Sequence, residues 1–150
     1  MGKTIQLEMV TPEKVALQAE AEMIVLPALE GEMGVLPGHA PFIVMLNPGE
    51  VRVTAPGGEK KFYAVAGGFA EIQPNKVAVF AETAEMAGEI DAERAKQSLE
   101  RAKAQAQAPG IDPMTLAQAE AAMRRAQVRL RVSELRRSQG RGHVPGPHGE

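Results

Sequence analysis

The 150-residue sequence has no cysteine, no tryptophan, a single tyrosine at Tyr63 and four phenylalanines, so aromatics make up only 3% of the chain. Without cysteine there is no disulfide framework, no thiol nucleophile and no thiolate metal site. The scarcity of rings removes the stacking platforms that single-stranded nucleic acid uses, and any core is expected to consist of Val, Ile, Leu, Met and Ala. No apolar run approaches the roughly 18 residues of a membrane span. Residues 1–10 lack the apolar stretch of a secretory leader, and Gln6 stands where an N-myristoylation signal needs Ser or Thr, so neither is expected. The phosphate-cradling glycine loop, HExxH, GxSxG and GxGxxG are all missing. The three histidines, His39, His143 and His148, have no companion ligands in sequence, and no metal site is expected.

What is present divides the chain in two. Residues 1–88 carry 6 Lys/Arg against 11 Asp/Glu, whereas residues 89–150 carry 11 against 8. Up to about Ala81 the texture is short apolar or alternating runs cut by Gly and Pro: Thr4–Val10, Glu22–Leu29, Phe42–Leu46, Glu50–Ala55, Lys60–Ala66, Gly68–Gln73 and Lys76–Ala81. Runs of this length and spacing predict an all-β sandwich or barrel of antiparallel strands, with a tight reversal at Pro56-Gly57-Gly58. In Glu50–Ala55, Val51, Val53 and Ala55 face opposite to Arg52 and Thr54, one side buried and the other wet. His39, in the rigid turn Pro37-Gly38-His39-Ala40-Pro41, is expected to hydrogen-bond the loop backbone.

After Gly88 the pattern becomes helical. Asp91 is placed to cap a helix over Ala92–Ala108, which Pro109-Gly110 stops; Asp112 caps a second, starting at Pro113 and running to about Arg137. Helices joined by so short a connection fold back as a hairpin. Its expected seam is Ala95, Leu99, Ala102 and Ala106 against Leu116, Ala119, Met123, Ala126, Leu130 and Leu135, rich in alanine and therefore thin. High helix propensity with little to bury predicts a hairpin weakly attached to the rest. The expected organisation is thus α+β: a sandwich over 1–88, a helical hairpin over 89–137, and a Gly/Pro-rich disordered tail over 138–150. The second helix is basic through Arg124, Arg125, Arg129, Arg131, Arg136 and Arg137, all arginine, which suits bidentate carboxylate or phosphate recognition. Composition alone also fits a free-standing sandwich module whose basic helix binds RNA or an acidic protein.

Three ordered stretches narrow the choice. They are Gly31-Glu32-Met33-Gly34-Val35-Leu36-Pro37-Gly38-His39-Ala40-Pro41, then Val65-Ala66-Gly67-Gly68-Phe69-Ala70-Glu71-Ile72-Gln73-Pro74-Asn75-Lys76-Val77, then Ala81-Glu82-Thr83-Ala84-Glu85 followed by Ile90-Asp91-Ala92-Glu93-Arg94-Ala95. Over roughly residues 3–137 the chain resembles the epsilon subunit family of bacterial F-type ATP synthase. The resemblance implies a non-catalytic rotor subunit in the central stalk of a proton- or sodium-translocating synthase, peripheral to the cytoplasmic face of the inner membrane. Its partners would be the gamma subunit, the c-ring and, in an inhibited state, the alpha and beta subunits, with no nucleic acid.

The same resemblance implies site residues. Glu30, Glu32 and His39 fall at the family's c-ring and gamma contact. The hairpin corresponds to an element that either lies on the sandwich or extends toward alpha and beta to block ATP hydrolysis, where Arg124, Arg125, Arg129, Arg131 and Arg136 would meet acidic segments of beta. Ile90-Asp91-Ala92-Glu93-Arg94-Ala95 matches a motif with which some members bind ATP on the folded hairpin. By position Glu85, Ile90, Asp91, Arg94, Ala95, Arg101, Arg125 and Arg129 fall at that site, which makes ATP a regulatory ligand rather than a required cofactor. The 139–150 extension departs from the family's usual length.

Overall fold

The computed structural model describes residues 3–141. Eight strands precede two helices: β1 (Ile5–Val10), β2 (Val15–Ala21), β3 (Met23–Ala28), β4 (Gly31–Val35), β5 (Phe42–Thr54), β6 (Lys60–Ile72), β7 (Lys76–Ala81), β8 (Ala84–Met86), α1 (Ala92–Ala106) and α2 (Pro113–Arg141). The sheet runs β2-β1-β7-β6-β5-β3-β4, with β8 added to β6. Alternation places Ile5, Leu7 and Met9 of β1 and Val77 and Val79 of β7 fully inside, where they meet Ile24, Leu26, Val35, Val51, Val65 and Ile72. This aliphatic core, with almost no rings, is the expected sandwich.

Three details differ from the local reading. Phe42–Leu46 and Glu50–Ala55 are one continuous strand, and so are Lys60–Ala66 and Gly68–Gln73, because β5 and β6 pair along their whole 13-residue lengths, with Pro48 opposite Ala66. β6 then changes outer partner along its length, taking β8 at Tyr63–Val65 and β7 at Gly68–Ile72. β2, β4 and β8 carry little hydrophobic alternation of their own and are strands because a neighbour's edge pairs them. Within the otherwise antiparallel sheet β1 runs parallel to β7, since the chain returns to that edge only after crossing the whole sandwich.

The helices begin where their caps stand. Asp91 Oδ1 accepts from the Arg94 N–H at 3.1 Å; Asp112 Oδ1 accepts from the Thr115 N–H at 2.9 Å, and Thr115 Oγ1 donates to Asp112 Oδ2 at 2.6 Å. α2 continues through Ser138 to Arg141, four residues past the expected end, so the helix takes in the first part of the segment 138–150 that was expected to be disordered. The rest of that segment, including His143 and His148, lies outside the described residues.

The two Thr115 bonds hold the Asp112 carboxyl below its usual range. A group whose folded pKa is depressed stabilises at and above its unfolded value and loses that contribution as pH falls through the folded one. Asp112→Ala is therefore expected to lower the melting temperature of the hairpin at neutral pH. The gap from wild type should close on acidification, as followed by circular dichroism.

The alanine seam is real: Ala95 and Ala102 of α1 and Ala119 and Ala126 of α2 are buried between the helices. The hairpin has a second attachment that the seam did not include. α2 packs on β5, β6 and the 3₁₀ turn Ala87–Glu89. Val132 is fully buried there among Phe62, Ala64 and Ala87, with Ile90, Val128 and Leu135 at the margin. This seat is apolar and separate from the sandwich core, so the hairpin is held more firmly than its alanines alone would hold it.

Candidate functional site

Where α2 crosses the sandwich edge it leaves a cavity of about 540 Å³, walled by Ala64–Ala66 of β6, by Thr83 and Glu85, by Ser98 of α1, and by Arg125 and Arg129 of α2. The helical repeat explains the arginines: residues four apart share a face, and the small Ala122 and Ala126 beside them keep the space open. Such a volume falls in the range of small-molecule sites.

Glu85 and Arg129 meet across it. Arg129 Nε donates to Glu85 Oε2 at 2.7 Å and Nη2 donates to Oε1 at 3.2 Å, a two-pronged pair about one-third exposed on each side. Its parallel charge-assisted bonds fix both groups in orientation. Among the described residues Arg125 makes no ion pair, so the cavity offers one guanidinium already engaged by a carboxylate and a second open at the rim. Among those residues no group of His, Asp and Glu is placed to hold a metal ion.

The other residues expected at a nucleotide site are distributed around this cavity rather than in its wall. Asp91 caps α1, Ala95 is buried in the hairpin seam, and Ile90 packs at the margin of the Val132 seat. Arg94 is exposed on the first turn of α1. Arg101 is on the outer groove of α1, yet its Nη2 donates to Ser98 Oγ at 3.3 Å, one side chain from the cavity. Thr83 and Ser98 line the cavity without having been anticipated; only an alternation extended past β7 and the position of Ser98 four residues after Arg94 hint at them.

The arginines expected to face a partner are also accounted for. Arg124 is exposed and, among the described residues, without an ion pair. Arg131 Nε stands 3.9 Å from Glu50 Oε2 of β5. The Arg136 guanidinium lies over Gly88, where an added Cβ would come within 2.8 Å of Nη1 and the flexible arginine would have to swing aside.

At the far end of the sandwich Leu29, Phe42, Ile43 and Met45 are exposed together around a shallow cavity of about 440 Å³ that Glu30 and Glu32 also line. An apolar group this concentrated marks an interaction surface. Glu32 is tied within the chain by Arg52, whose Nη2 donates to its Oε2 at 2.7 Å. His39, half-buried in the loop before β5, has Nδ1 2.7 Å from the Ala40 carbonyl oxygen, the backbone bond expected of it.

Comparison with known proteins agrees with both halves. The model of the ATP synthase delta/epsilon chain β-sandwich domain matches residues 4–87, and that of the delta/epsilon chain long alpha-helix domain matches residues 89–134. The chain is 46% identical over 134 residues to the ATP synthase epsilon chain of Herpetosiphon aurantiacus, covering 89% of this chain and 97% of that one. It is 44% identical over 132 residues to the epsilon chain of Moorella thermoacetica, with 87% and 96% covered. Among solved structures, a chain of the Euglena gracilis mitochondrial ATP synthase (OSCP, F1 and c-ring) superposes with a TM-score of 0.77 at 31% identity, over 90% of this chain and 83% of that one. A chain of the Tetrahymena thermophila central stalk and c-ring superposes with a TM-score of 0.60 at 13% identity, covering 89% and 99%, which speaks to the fold alone. With both of its domains matched in order and nearly the full length of its relatives covered, the chain belongs to the delta/epsilon chain family of ATP synthase.

Proposed function

We propose that this chain is a non-catalytic rotor subunit that joins gamma to the c-ring in a proton- or sodium-translocating F-type synthase, and that its hairpin restrains ATP hydrolysis under the control of ATP. The observation that carries the regulatory part is the docked hairpin itself, closing a cavity where Glu85, Arg125 and Arg129 converge. In this reading the arginines hold a triphosphate while Glu85 accepts from the polar edge of the ribose or base. Bound ATP favours the docked state by its differential affinity for it.

Released from the sandwich, α2 would present Arg124, Arg125, Arg129, Arg131 and Arg136 to acidic segments of beta, with the hairpin lying along gamma toward alpha and beta. The exposed apolar group around Phe42 and Ile43, bordered by Glu30 and Glu32, supports a static contact with gamma and the c-ring, and His39 is near that end. Among the described residues no helix is long and apolar enough to cross a membrane; in this reading the chain is held through the complex, at the cytoplasmic face of the inner membrane.

Calorimetric titration of the purified chain with ATP tests this. Wild type is expected to bind, and Arg125→Ala/Arg129→Ala to bind at least about tenfold more weakly, since two charge-assisted contacts are lost. No binding by wild type at millimolar ATP, or an unchanged affinity in the double variant, would remove ATP from the mechanism and leave the arginines to partner contacts.

A further inference from the structure

The sandwich offers α2 two carboxylates, Glu85 and Glu50, on very unequal terms. Glu85 is partly exposed and fully engaged by Arg129. Glu50 is on the outward face of β5, two residues before Arg52, on the strand that α2 covers, and its side chain is only 10% exposed. Its Oε2 is buried and, among the described residues, accepts no hydrogen bond; Arg52 Nε beside it is buried and, among the same residues, donates none. Among the described residues the cations nearest to it are too far for hydrogen bonds: Arg52 Nε is 3.6 Å from Oε1 and Arg131 Nε is 3.9 Å from Oε2. Arg52 is turned toward Glu32, and Arg131 is largely in water, at 71% side-chain exposure.

An ion pair removed from water is favourable only when geometry and hydrogen bonds offset the lost hydration. Around Glu50 they do not. When α2 docks it dries a carboxylate and a guanidinium N–H and returns a loose Coulombic contact to each. When α2 leaves, both regain water.

We propose that Glu50, with Arg52, is a release element for the hairpin: a pair whose drying opposes docking and keeps the docked state close in free energy to the released one. It rests on the reading above that the hairpin leaves the sandwich. The device sits outside the nucleotide cavity, so it sets the resting balance that ATP then shifts. Apparent ATP affinity scales with the docked fraction, so a chain without the device should bind ATP no more weakly than wild type.

Amide hydrogen exchange on the full chain measures the opening of α2 directly, reading Val128–Leu135 against the β1 and β7 amides as an internal standard for the sandwich. Glu50→Met/Arg52→Met replaces the pair by unbranched apolar side chains, and the α2 opening constant is expected to fall roughly tenfold with the β1 and β7 amides unchanged. Glu50→Gln, which removes the charge with little change of shape, should move it in the same direction by less and keeps the test valid if the double variant disturbs the sheet. A rise in the opening constant in either variant would make Glu50 a latch and overturn the proposal, as would a constant within twofold of wild type. Those results leave the mobile hairpin standing. If wild-type α2 instead exchanges only as slowly as β1 and β7, the hairpin opens only with the whole fold, and both readings fall together.

Discussion

Val132→Asp is expected to free the hairpin while leaving the sandwich folded. Val132 is fully buried, and its neighbours Phe62, Ala64 and Ala87 form a cluster distinct from the one built on Ile5, Leu7, Met9 and Val79. An aspartate there must either ionise without a partner or leave, and a buried uncompensated charge costs about 3–5 kcal/mol. The wild-type side chain also contributes about 1.5–3 kcal/mol by its burial. Together these exceed what so small a seat can hold against, whereas the sandwich loses only a cover over Phe62 and Ala64. Of the nearby arginines, Arg129 is committed to Glu85, and Arg136 is exposed, so an aspartate that pairs with it must leave the seat to do so. Limited trypsin digestion should then cut along α2 at once, while the β-sheet melts close to the wild-type temperature. In a reconstituted synthase the freed hairpin is expected to deepen inhibition of ATP hydrolysis. A variant that resists trypsin as wild type does, or whose sheet melts together with its helix, would show that the Val132 seat is not the joint between the two parts.

That seat marks the limit of what could be read from the chain. Helix starts were legible because they rest on local chemistry: Asp91 and Asp112 each bond an amide three residues on. The buried side of Glu50–Ala55, with Val51 and Val53, was legible from its alternation. Whether Phe42–Thr54 is one strand or two was not, because the pairing that carries it through Pro48 comes from a distant segment. α2 posed a different difficulty. It carries apolar residues toward two neighbours, with Ala119 and Ala126 turned to α1 and Val128, Val132 and Leu135 turned to the sandwich, so the single stripe drawn for the seam missed Val128 and Val132 and wrongly took in Leu135.

The site was legible to a similar degree. Arg125 and Arg129 share a helical face by their spacing alone, but their meeting with Glu85 across 44 residues depends on the fold, and only the family resemblance anticipated it. The alternation in Glu50–Ala55 put Arg52 and Thr54 on a wet face, and Glu50, two residues before Arg52, falls on the same one. It is instead the face that α2 covers, which is why a charged pair came to be dried there.

Gly68→Ala should be the most damaging added methyl among the described glycines. Gly68 has a φ of +123°, outside the range L side chains ordinarily adopt, and it pairs with Ala81 where β6 meets β7. A Cβ at that position would run into the Phe80 carbonyl oxygen and come within 3.0 Å of the Ala81 Cα. Both obstacles are backbone, so neither can swing aside, and relief requires parting the two strands. Gly31 separates the two contributions: its φ is +130°, yet nothing lies within 4 Å of an added Cβ. Gly31→Ala is therefore expected to lose about 1–3 kcal/mol from conformational strain, and Gly68→Ala that amount plus the clash, above about 4 kcal/mol, among the largest effects of single substitutions. Because β6 also carries Phe62 and Ala64, the hairpin seat should loosen along with the sheet. Urea unfolding at equilibrium decides the matter through the midpoint, with the slope checked for two-state behaviour. Equal losses in the two variants would mean that the strands adjust to the methyl without cost, and that the glycine is there for its backbone angle alone.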